Sequence, residues 1–81
     1  MGYEKPPSSI KWRDAVRTVK VLGAVYVRDK GDHKHFKRKT IRGTYPIQIP
    51  VSNDIDGDLL KSIIRQTGVS KKEFWKAYRN K

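Results

Sequence analysis

The chain is 81 residues long, which suits one small domain with a modest core that needs neither disulfides nor metal ions. It contains no cysteine, which excludes a disulfide framework and any metal site built on thiolates. Lysine and arginine number 19 against 8 acidic residues, a formal net charge of +11. Such a charge is typical of proteins that bind a polyanion, so nucleic acid is the expected partner, with an acidic protein or a membrane surface as alternatives.

The sequence carries no sign of membrane insertion or export. No apolar run reaches the length of a transmembrane helix, and the N-terminus lacks the apolar segment of a signal peptide. We therefore expect a cytoplasmic protein without a membrane contact. Residues 1–8 are predicted as a flexible N-terminal arm and residues 9–81 as a single domain.

The first predicted element is an amphipathic helix. Apolar residues recur at helical spacing from Trp12 to Leu22, with basic residues mainly on the other side. Ser8 or Ser9 is predicted as the N-cap, and Gly23 ends the helix.

Three strands are predicted next, over residues 24–30, 33–41 and 44–51. Alternation of apolar and polar side chains is clearest in the first and third of them. Gly31 and Asp32 form a tight turn between the first two strands.

Two helices complete the prediction. Leu59 to Ile64 carry a second apolar stripe, and Gly68 ends that helix. Ser70 and Glu73 form a capping box that begins a short C-terminal helix. The order α-β-β-β-α plus a C-terminal helix predicts an α+β fold, with a three-stranded antiparallel sheet and the helices on one face. The double-stranded-RNA-binding domain has the same order of elements.

The second strand holds both histidines of the chain. Phe36 is its only large aromatic residue and is expected to face the core. Strand side chains alternate, so one set is predicted to share the open face of the sheet: His33, His35, Lys37 and Lys39. The neighbours expected on that face are Tyr26, Arg28 and Gln48.

Histidines surrounded by basic residues are suited to RNA cleavage. The nucleophile is the substrate's own 2′-hydroxyl, so the reaction needs a base, an acid and positive charge near the phosphate. Imidazole can serve as base or acid near neutral pH. A solvated polar face is the plainer alternative. A His-x-His zinc site is the other, but Asp32 is the only carboxylate beside the pair and the surrounding positive charge opposes a cation.

Cations around the histidines are predicted to contact RNA phosphates, on the basis of their charge alone. These residues are Lys30, Lys34, Lys37, Arg38 and Lys39.

Three stretches, "LGAVYVRDKGDHKHFKRK", "IPV" and "LLKSIIRQTGVSKKEFW", together resemble the HicA-like toxins, small messenger-RNA endonucleases of type II toxin–antitoxin pairs. The likeness implies a double-stranded-RNA-binding-like fold, RNA cleavage without a metal or other cofactor, and inhibition by a HicB-like antitoxin. His33 falls on the catalytic histidine of the family and Gly31 on the glycine of its turn.

The chain departs from the family pattern at three points, one of which is that Gly57 lies one residue earlier than the family's glycine before the last helix. Asp32 stands where serine is usual, and Ser52 stands where a second histidine is frequent. His35 and Asp32 are therefore predicted as residues that assist His33. The leading hypothesis is an endoribonuclease toxin. The alternatives are a non-catalytic RNA-binding domain of the same fold and an adaptor for an acidic protein.

Overall fold

A three-stranded antiparallel sheet forms one layer of the protein in a computed structural model, which describes residues 5–51 and 54–80. Helices form the second layer, so the predicted α+β architecture is confirmed. In chain order the elements are β1 (Ser9–Ile10), α1 (Trp12–Val21), β2 (Val25–Lys30), β3 (His33–Thr40), β4 (Gly43–Pro50), β5 (Ile55–Asp56), α2 (Gly57–Thr67) and α3 (Lys71–Arg79).

The sheet has the strand order β2-β3-β4, so β3 lies in its centre. Phe36 of β3 pairs with Ile47 of β4, and both side chains are buried together with Ile49. Helices α1 and α2 contact β4 on this side. The core therefore lies between one face of the sheet and the helices, as the alternation around Phe36 predicts.

A two-residue antiparallel pair, β1 with β5, was not expected from the sequence. Ile10 and Ile55 are partners in it and both are buried. This pairing holds residues 9–10 extended, so the predicted N-cap of α1 at Ser8 or Ser9 is wrong. Lys11 occupies that position and makes no side-chain capping bond.

The helix ends agree better with the sequence. Ser70 is the N-cap of α3, and its hydroxyl accepts a hydrogen bond from the Glu73 N–H at 3.2 Å, which confirms one half of the predicted capping box. Gly23 follows the end of α1, and Gly68 ends α2 in the left-handed region at φ 77°. A β-carbon at Gly68 would lie 2.6 Å from the Tyr45 ring, so this position needs glycine for space as well as for conformation.

The side chain of Arg17 on α1 contacts helix α3. The guanidinium of Arg17 donates to the carbonyl of Tyr78 at 2.8 Å and lies over the Tyr78 ring. The predicted N-terminal arm lies in part outside the described residues. None of the described helices has the length and apolar character needed to cross a membrane.

Candidate nucleic-acid interface

The open face of the sheet collects the polar residues of β3 at alternate positions. Cross-strand pairs identify which side chains share this face, because directly opposed residues project to the same side. His35 pairs with Arg28 on β2 and with Gln48 on β4, so two of the three expected neighbours are confirmed. We define the open face by its β2 and β3 residues: Val25, Arg28, Lys30, His33, His35, Lys37 and Lys39.

Tyr26 does not belong to this face, and the prediction that it does is wrong. It pairs with Phe36, and the two rings meet edge to face at 5.8 Å between centroids. The register then shifts at a bulge between Tyr26 and Arg28. Val27 is the extra residue, and it breaks the simple alternation that the sequence suggested.

His33 is the first residue of β3 and stands at the end of the sheet. Its Nδ1 lies 3.3 Å from the Asp32 Oδ1, and the side chains are 44% and 71% exposed respectively. The turn before it uses Gly31 at φ 60°, in the left-handed region. The Asp32 carbonyl accepts from the Val51 N–H at 2.9 Å, which fixes this turn to the end of β4.

His35 lies one pleat further along the same face and is half-buried between Arg28 and Gln48. The structure thus brings both histidines and Asp32 to one end of the open face. This arrangement places two imidazoles, one carboxylate and the Lys30 ammonium, which pairs across from His33, around a single region of surface.

Lys34 projects to the opposite side of β3. Its ammonium donates to the Asp29 carboxylate at 3.2 Å and lies 5.5 Å from the centre of the Tyr26 ring. The bonds from Lys34 and Tyr26 lower the pKa of Asp29. Desolvation and the Asp29 carboxylate raise the pKa of Tyr26. The Lys34 charge is therefore engaged within the protein, away from the histidines.

Arg38 also faces the helices. Its Nε donates to the Leu22 carbonyl and its Nη1 to the Thr67 carbonyl, each at 3.0 Å. These carbonyls lie at the C-terminal ends of α1 and α2, where helix dipoles favour a cation. One side chain of the central strand thus connects both helix ends to the sheet. Because both Arg38 and Lys34 are bound to groups within the protein, neither is part of the proposed phosphate surface.

Lys30, Lys37 and Lys39 remain on the open face. Among residues 5–51 and 54–80, the salt bridges are Asp14 with Arg17, Asp32 with His33 and Asp29 with Lys34, so none of these three lysines takes part in one. Lys30 and Lys39 are exposed and Lys37 is half-buried. Their charges are available to an anionic partner.

The described part of the chain holds no group of three or more side chains that could bind a metal ion. Ser52, which also departs from the family pattern, lies outside the described residues.

The sequence interpretation missed the contacts of Arg38 and the cluster of Tyr26, Asp29 and Lys34. Part of this could have been predicted, because Lys34, Phe36 and Arg38 occupy alternate positions of β3 and therefore project to the same side of the sheet.

Comparison with known proteins identifies one family. The model of a family described as the HicA toxin of bacterial toxin–antitoxin systems matches residues 12–69. The match runs from the start of α1 to Val69, two residues after the end of α2, and includes the whole three-stranded sheet. No curated protein matches the chain.

Proposed function

The chain belongs to the HicA toxin family of bacterial toxin–antitoxin systems, and from this premise we propose that it is a metal-independent endoribonuclease that cleaves messenger RNA at His33. The observation that carries the proposal is the position of His33. It is a part-exposed imidazole at the end of a basic sheet face, in contact with a carboxylate. Membership of the family also implies an antitoxin partner.

The proposed reaction is an attack by the 2′-hydroxyl of one nucleotide on its own 3′-phosphate. A base removes the proton of the hydroxyl, the new O–P bond forms, and the bond to the 5′ oxygen of the next nucleotide breaks. That oxygen takes a proton from an acid, which leaves a 2′,3′-cyclic phosphate and a 5′-hydroxyl. Proton transfer by a positioned histidine contributes about 10²- to 10⁴-fold to such a reaction.

Asp32 supports the assignment of His33 as the base or acid. Its carboxylate lies against Nδ1, so the ring is oriented with Nε2 on the side away from that carboxylate, where it is proposed to meet the substrate. Asp32 therefore positions His33, and it takes the place of the serine that is usual in the family.

His35 and Lys30 are proposed to assist. His35 lies on the same face and is the second imidazole at hand for the other proton transfer. Lys30 pairs across from His33, where an ammonium would stabilise charge on the phosphorane oxygens. Lys37 and Lys39 extend the positive surface along β3 and are proposed to hold neighbouring phosphates.

A HicB-like antitoxin is the proposed inhibitor. Cations dominate the open face, so an acidic surface that covers it would block RNA and be held by the same charges. This arrangement predicts competition between RNA and antitoxin for one site.

The decisive experiment is cleavage of a single-stranded RNA by the purified protein in EDTA, with a His33→Ala variant beside it. Wild-type protein is expected to cut and to leave a cyclic phosphate end. His33→Ala is expected to bind the RNA with similar affinity and to cut at least about 100-fold more slowly. A Lys72→Ala variant, which changes an exposed residue of α3, is the control for loss of positive charge.

Three outcomes contradict the proposal. If EDTA abolishes cleavage and added divalent metal restores it, the reaction depends on a metal. If both proteins bind RNA and neither cuts, the chain is a non-catalytic RNA-binding domain of the same fold. A failure to bind RNA at physiological salt would favour an adaptor for an acidic protein.

A further inference from the structure

We propose that the RNA lies along β3 in one direction from the cut, so that the protein reads nucleotides on one side of the scissile phosphate only. This inference rests on the proposed function, since it takes His33 as the place of cleavage. The surface concerned, here called the one-sided track, consists of His33, His35, Lys37 and Lys39. Its ligand is a single RNA strand.

The position of His33 within the strand is the first support. It is the first residue of β3, and the other members of the track follow at every second position up to Lys39. The six residue-to-residue steps from His33 to Lys39 span about 20 Å. The histidine thus stands at one end of the track, and the free cations extend away from it in one direction.

The charge along the track is the second support. Lys37 pairs with Val25 and Pro46, and Lys39 pairs with Thr44, so neutral residues flank both ammonium groups. Asp29, the one acidic residue in β2, β3 or β4, pairs with Lys34 and so projects to the other side of the sheet. A phosphate backbone would meet only positive or neutral strand side chains along this direction.

The end of the track at His33 differs from the other end, because it holds a carboxylate as well as the Lys30 ammonium. Beyond His33 the chain turns at Gly31 and Asp32, and the Asp32 carboxylate is well exposed. The bond between its carbonyl and the Val51 N–H holds the backbone of Asp32 at the sheet end. A negative charge there disfavours a phosphate on that side of the cut.

Single-stranded RNA is the ligand that this surface suits. The outer strands of a three-stranded sheet are about 10 Å apart, which leaves room for one backbone between them. Attack in line with the leaving oxygen also needs a nucleotide that can rotate, and a duplex holds its nucleotides fixed. A track of about 20 Å would hold about four nucleotides, at the low end of the site sizes of single-strand binding grooves.

Chimeric oligonucleotides test the direction. Each strand carries one ribonucleotide in a deoxyribonucleotide chain, so that only one 2′-hydroxyl is present and the cut can occur at one place. One series lengthens the 5′ flank from one to eight nucleotides at constant 3′ flank, and the second series does the reverse. An all-RNA strand is cut alongside as the reference for activity.

The one-sided track predicts that kcat/KM rises with flank length in one series and is flat in the other. The rise is expected to end after about four nucleotides. Lys39→Ala is expected to lower kcat/KM roughly three- to tenfold for strands long enough to reach it, and to leave the shortest strands unchanged. Lys72→Ala, the matched loss of one charge from the helix layer, is expected to act equally on all lengths.

Equal dependence on both flanks, or an equal effect of Lys39→Ala on short and long strands, would overturn the track while cleavage itself stands. If the all-RNA strand is not cut, the proposed function fails instead. The same strands then decide the track by fluorescence anisotropy. A loss of affinity in Lys39→Ala that is confined to longer strands supports it, and equal losses in Lys39→Ala and Lys72→Ala overturn it.

Discussion

The two sides of β3 carry similar residues, but these residues have different roles on each side. Toward the helices, Lys34 is bound to Asp29, Phe36 is buried, and Arg38 donates to two helix carbonyls. Toward the open face, Lys37 and Lys39 take part in none of the salt bridges among the described residues. Side-chain chemistry does not separate these two groups of cations. The direction in which each projects from the strand decides whether it stabilises the fold or meets a partner.

The largest expected effect is a difference in the free energy of unfolding between substitutions at two adjacent positions of β3, one on each side of the strand. Phe36→Ala removes a side chain that is 2% exposed, and a loss of about 3–5 kcal/mol in the free energy of unfolding is expected from the cavity. His35→Ala, on the open face, is expected to change it by less than about 1 kcal/mol. Urea denaturation followed by circular dichroism measures both. A large loss in His35→Ala would show that the open face carries part of the core.

The next effect separates Arg38 from Lys37. Arg38→Met keeps the bulk of the side chain but leaves the Leu22 and Thr67 carbonyls without their donor, for an expected loss of about 1–3 kcal/mol. The RNA affinity of this variant, measured under conditions in which it is folded, is expected to equal that of the wild-type protein. Lys37→Met should do the reverse, with little change in stability and a salt dependence of RNA binding reduced by about 0.7 in slope.

Anisotropy titrations at several salt concentrations measure this second contrast, with stability measured on the same samples. If Arg38→Met changes the salt slope and Lys37→Met does not, the phosphate surface lies on the helix side of β3. The description of the open face as the RNA surface would then be wrong.

The smallest effect concerns pH and the pair of Asp29 and Lys34. The pKa of Asp29 is lower in the folded protein than its usual 3.8, chiefly because of the bond from Lys34. A lowered pKa means that the ionised carboxylate stabilises the fold above 3.8, and that this contribution disappears as the pH falls through the folded value. Asp29→Asn is therefore expected to be slightly less stable than wild type at neutral pH and equally stable in strong acid.

Thermal unfolding at the two pH values measures this difference, with Asp54→Asn as the control because Asp54 is exposed and forms none of the salt bridges among the described residues. A difference between wild type and Asp29→Asn that persists in strong acid would mean that the pair is not its source. RNA binding is expected to be unchanged in Asp29→Asn, since the carboxylate faces away from the histidines.

Much of the architecture follows from local patterns. Periodicity placed all three helices and the three strands of the sheet, and Ser70 with Glu73 marked the start of α3 correctly. The pair of β1 and β5 escaped detection because each strand has two residues, too few for alternation to be visible. Tyr26 was misplaced because the bulge at Val27 changes the parity of β2, and nothing in the run "AVYVRDK" signals an extra residue.

By itself, the sequence determined the fold class, the strand that carries the histidines, the side of β3 on which they lie, and the family. These depend on periodicity and on short motifs, which are properties of neighbouring residues. Tertiary structure alone decided which cations are free. Lys34 is engaged because Asp29 lies opposite it across a shifted register, and Arg38 because two helix ends meet beside β3. Such contacts join residues distant along the chain, so they are set only when the layers pack.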